Sequence, residues 1–100
     1  MGTQMQLRLS QEQIEKMVLD FIKSSQPDFA VQDAMLETSY FGEQLDSWWV
    51  ACEHKNGDES IMEDEQILLL IQQKQGWEKI VDLQIEDSEE AGFVLKVKGQ

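Results

Sequence analysis

The chain is poor in the residues that most often carry chemistry or cross-links. Its 100 residues include one cysteine, one histidine, one proline and one tyrosine, and 8 lysines and arginines stand against 20 aspartates and glutamates, a formal net charge of -12. Each scarcity excludes something. A lone Cys52 can form no disulfide within the chain and suits a reducing compartment, so a cytoplasmic address is expected. Cys52 and His54 are the only thiol and the only imidazole, which leaves carboxylates alone to complete a zinc site, and no metal is expected. The shortage of bases removes the surface that nucleic acid or an anionic membrane would need, so neither is an expected partner. The longest purely apolar run, "ILLLI" at 67–71, falls far short of a membrane span. Six scattered glycines form no phosphate-cradling loop, and "NGDESIMEDE" lacks the ligand spacing of an EF-hand, so no cofactor is expected either.

What is present is a foldable chain. A hydrophobic content of 41% with three tryptophans supports one domain over residues 1–100 with a single core. The clearest element is a helix over 10–25. Ser10 caps it with Gln13 three residues on, and Ile14, Met17, Val18, Phe21 and Ile22 form one continuous stripe. Beyond Pro27 the pattern turns to strands, expected at about 34–41, 47–54, 66–73, 77–86 and 93–98. In the second of these, alternation places Trp48, Val50, Cys52 and His54 on one face and Trp49 on the other. Residues 60–76 admit two readings. A helix could start near Ser60 and stop at Gly76, whereas five adjacent apolar residues at 67–71 suit a strand buried on both faces, and the strand is preferred. The expected fold is therefore α+β, an N-terminal amphipathic helix packed across a four- to five-stranded antiparallel sheet.

The segment "QILLLIQQKQGWEKIVDLQI" resembles the long closing hairpin of NTF2-like proteins, an apolar strand and a short polar turn followed by a Trp-x-x-Ile-Val strand. The helix-plus-sheet outline is also similar to cystatin-like folds. The cystatin Gln-x-Val-x-Gly loop is missing, so protease inhibition is not implied. The NTF2-like resemblance implies an apolar pocket, with His54 as a candidate general base.

Two functional classes follow. In the first, the protein is a small acidic interaction protein without enzymatic activity. One sheet face lies under the helix, and the other, with Trp49 as anchor beside Phe41, Met35 and Ile80, seeks a second copy of the chain; Tyr40, on the opposite side of its strand from Phe41, is a further candidate for binding a ligand or partner. The acidic cluster at Glu63, Asp64 and Glu65 would then meet a basic partner, as in immunity- or inhibitor-type proteins. In the second class, the sheet and helix enclose a small-molecule site at His54. Catalysis by Cys52 is disfavoured, since an acidic setting raises a thiol's pKa.

Overall fold

The computed structural model describes residues 4–100. The chain runs β1 (Met5–Ser10), α1 (Gln11–Ser25), a short 3-10 turn at Pro27–Phe29, β2 (Val31–Phe41), β3 (Gln44–His54), β4 (Glu59–Glu63), α2 (Asp64–Gln75), β5 (Ile80–Ser88) and β6 (Gly92–Gly99). These make an α+β fold with two helices and two antiparallel three-stranded sheets, ordered β1-β6-β5 and β2-β3-β4. The expectation of a single sheet under a single helix is thereby corrected.

Helix α1 forms for the local reasons its sequence contains. The Gln13 N–H donates to Ser10 Oγ at 3.3 Å, and the Ser10 N–H donates to Gln13 Oε1 at 2.8 Å, so two otherwise unpaired donors of the first turn are satisfied reciprocally. Of the apolar stripe, Ile14, Val18 and Ile22 are buried, Met17 packs at the margin and Phe21 stays partly exposed.

The departure from the expected architecture lies in residues 64–75, which are helical where a strand over 66–73 was expected. The helix buries Ile67, Leu70 and Ile71, spaced i, i+3 and i+4, and leaves Leu69 53% exposed. A doubly covered strand would have to hide all five apolar residues. The start is secured by the Glu63 N–H donating to Gln66 Oε1 at 2.9 Å, with Asp64 and Glu65 in the first turn complementing the helix dipole. At the other end Gly76 adopts φ 70°, and the Trp77 N–H returns to the Gln72 carbonyl at 3.0 Å. The segment that resembles an NTF2-like hairpin is thus a helix followed by a strand. Trp77, expected in that strand, is buried before β5 begins. The register between β5 and β6 shifts at Val81; Ile80 and Ile85 pack on the core, and Val81 and Leu83 are each 37% exposed.

One core serves both sheets. Trp48 of β3 and Phe93 of β6 meet with ring centroids 5.4 Å apart and planes tilted by 47°, and Ile14, Val18, Ile67, Ile71, Leu95 and Val97 pack around them. The space is filled closely enough that Gly99 has no room for a side chain, since a Cβ there would lie 2.0 Å from Trp77 Cε3.

Strand β2 is an edge, paired on one side only with β3. Its outer donors are met by carboxylates: the Leu36 N–H donates to Glu15 Oε2 of α1 at 2.7 Å, and the Ala34 N–H to Asp33 Oδ1 at 2.9 Å. Gln11 Nε2 steadies the Glu15 carboxylate at 3.3 Å. Glu15→Ala strands a partly buried N–H, and a loss of about 1–3 kcal/mol is expected in urea denaturation. Glu15→Gln, which keeps an acceptor, should lose less. Equal losses for the two would show that acceptance from Leu36 contributes nothing.

Candidate functional site

The register of β2, β3 and β4 arranges the outer face of their sheet as three rows running across the strands. The first row is Asp33, Glu53 and Glu59; the second is Met35, Ala51 and Ile61; the third is Glu37, Trp49 and Glu63. An apolar row therefore lies between two acidic ones, and none of the nine positions is basic. Met35 and Ile61 are 54% and 57% exposed, with Ala51 buried between them. A shallow hollow of about 270 Å³ opens over Asp33, Met35, Ala51, Glu53 and Glu59.

Local chemistry explains how each residue comes to be there. Alternation along β3 turns Trp48, Val50, Cys52 and His54 into the core and Trp49, Ala51 and Glu53 outward. Trp49 is half-buried, and its indole Nε1 donates to Glu37 Oε2 at 2.9 Å along the third row. Gln32 Nε2 donates to Glu53 Oε1 at 3.3 Å. Like charges directly opposite each other on neighbouring strands, as at Glu53 and Glu59, are unfavourable. The face therefore carries an electrostatic cost, and among the described residues no base forms an ion pair with these carboxylates.

The residues singled out from sequence scatter over several places. Trp49 and Glu63 are cross-strand neighbours on this face. Asp64 and Glu65 belong to the first turn of α2. Phe41 is 83% exposed at the tip of the β2–β3 hairpin, opposite Gln44 and past a register shift that skips Asp46 of β3. Tyr40 reaches across to the other sheet, where its hydroxyl donates to Asp87 Oδ2. That hydrogen bond, with smaller contributions from desolvation and the carboxylate's charge, raises the phenol's pKa. Ile80 is half-buried against the core on the opposite sheet.

His54 is buried on the core side of β3, with Nε2 2.9 Å from Ser60 Oγ. Neighbouring Cys52 is fully buried, and burial, followed by the charge of Asp33, pushes its thiol pKa up. Among the described residues no group of three His, Cys, Asp or Glu side chains is placed to hold a metal ion. No helix there is long and apolar enough to cross a membrane.

Glu37, Met35, Ala51, Ile61 and the first acidic row complete the face beyond Trp49 and Glu63. A sequence signal for part of it exists in "ESIME", where Glu59, Ile61 and Glu63 alternate with Ser60 and Met62. That signal is hidden inside a cluster that otherwise looks like a solvated loop. The outer face of the second sheet is mixed in charge: Arg8 lies opposite Lys96 and Gln6 opposite Lys98 across β1 and β6, while β5 sets Asp82 opposite Lys98 and brings Glu86 Oε2 to 3.7 Å from Lys96 Nζ. Comparison with known proteins finds no matching family model, no matching curated protein and no matching solved structure.

Proposed function

We propose that this is a binding protein without enzymatic activity that docks a basic partner protein on the outer face of β2, β3 and β4. The observation that carries the reading is the like-charge alignment of Asp33, Glu53 and Glu59 across three strands beside the apolar row Met35–Ala51–Ile61, whose two outer members are exposed. A partner with apolar side chains flanked by lysine or arginine would relieve the repulsion and cover the apolar row at once. A second copy of the chain is a poorer occupant, because isologous packing would set five carboxylates against five others. The pocket reading centred on His54 draws no comparable support, as the imidazole lies on the core side of the sheet beside Ser60.

The test uses a synthetic peptide of about 15 residues rich in leucine and lysine, titrated calorimetrically at low and at moderate salt. Binding to the unaltered chain is expected to weaken as salt rises. Combined Glu53→Lys and Glu59→Lys should reduce affinity at least tenfold. Combined Glu89→Lys and Glu90→Lys, in the exposed turn before β6, changes net charge equally and should reduce it far less. Equal losses for the two variants would mean that net charge alone attracts the peptide, and the reading would fall.

A further inference from the structure

From the spacing of the three rows we infer that the partner element seated on this face is an amphipathic α-helix lying across the strands, with a narrow apolar stripe bordered on both sides by lysine or arginine. This inference rests on the docking reading above and specifies the partner's conformation.

The geometry is set by the sheet. Adjacent strands lie ~4.8 Å apart, so Met35, Ala51 and Ile61 mark a line of ~10 Å perpendicular to the strands. One helical turn advances ~5.4 Å, so successive turns of a helix laid along that line would fall near successive strands. Ala51 supplies the low point, where a bulky residue of the middle turn can settle between the longer Met35 and Ile61 side chains. The two acidic rows are four residues apart along each strand, hence separated by ~13 Å. That is close to the diameter of a helix with its side chains, ~10–12 Å. Bases on both flanks of one helix would therefore reach Asp33, Glu53 and Glu59 on one side and Glu37 and Glu63 on the other.

An extended segment fits less well for two reasons. Laid flat on the apolar row, it would press unpaired backbone N–H and C=O groups against Met35 and Ile61, whereas a helix satisfies its own. Its side chains also alternate up and down, so one strand cannot present cations to both acidic rows together. Pairing at the β2 edge is obstructed where Glu15 and Asp33 already occupy the Leu36 and Ala34 donors.

Three synthetic peptides of identical composition test the inference against the full chain. One places leucines at i, i+3, i+4 and i+7 with lysines on both flanks and a single proline at its terminus; the second is a scramble without periodicity; the third keeps the pattern of the first but moves the proline to the middle. The patterned peptide should bind at least tenfold tighter than either of the others, with a gain in helical circular dichroism on mixing, and Ile61→Ser should weaken it about tenfold. If all three bind alike and Glu53→Lys with Glu59→Lys weakens them equally, the helix is wrong while the basic docking face stands. If none binds, the docking face itself is wrong. A dimer in analytical ultracentrifugation that Ile61→Glu dissociates would assign the face to a second copy and overturn both.

Discussion

Trp48→Ala is expected to cost about 3–5 kcal/mol, a large share of the roughly 5–15 kcal/mol that holds a domain folded. Trp48 is 3% exposed and stacks at a tilt on Phe93, so it joins the two sheets at the centre of their common core. Removing it deletes the indole's burial and leaves a cavity that β3 and β6 cannot both close over. The adjacent Trp49→Ala should cost far less, because that ring is half-buried and loses one hydrogen bond to Glu37 at the surface. Urea midpoints of the two variants, read with the denaturant slope checked for constancy, provide the comparison. Equal losses would contradict the assignment of the two rings to opposite faces of β3.

Gly99→Ala should be nearly as damaging, by about 3 kcal/mol, although it adds a single methyl group. That methyl would meet three atoms of the Trp77 indole at 2.0, 2.1 and 2.8 Å, and Trp77 is itself buried. The backbone around Gly99 is held as well: it pairs with Met5 and Ile80 on either side, and the following Gln100 exchanges backbone hydrogen bonds with Lys79. In a domain of this length the loss corresponds to a fall in melting temperature of roughly 12–24 °C. Trp77→Leu combined with Gly99→Ala should recover part of it, since the smaller side chain makes room. The recovery is helped because Trp77 Nε1 has no hydrogen-bond partner among the described residues, so removing it forfeits no bond. Strict additivity of the two substitutions would show that the ring does not exclude the methyl group.

The parts of the fold that can be read from the sequence are those fixed by local rules. Ser10 and Gln13 announce the start of α1 within four residues, and the alternation through Trp48, Val50 and Cys52 identifies the buried side of β3. Residues 67–71 mislead because five adjacent apolar side chains satisfy a strand and a helix equally well. The decision rests on which of them find cover, and that depends on distant elements. β1 goes unread because Met5, Leu7 and Leu9 make only a short alternation that runs straight into the helix cap, and its partner, β6, is some 90 residues away.

The candidate site divides in the same way. That Trp49 faces away from the core follows from Trp48 facing inward. Its company does not, because the three rows come from cross-strand register, and register is a property of pairing between segments. The bulges beside Asp33 and Tyr40 move that register by one residue each, and a shift of one residue turns a side chain to the other face. Phe41, the last residue of β2, lies at the hairpin tip past the shift at Asp46 of β3 and stands apart from the three rows.

The contrast between the two outer sheet faces has a consequence for encounter. One bears five carboxylates in two rows; the other sets Arg8, Lys96 and Lys98 against Asp82 and Glu86, and so is close to neutral. The two faces therefore differ in how far their fields reach. Opposite charges side by side cancel within a few ångströms, whereas rows of one sign add, so a cation diffusing nearby is steered by the first face and hardly feels the second.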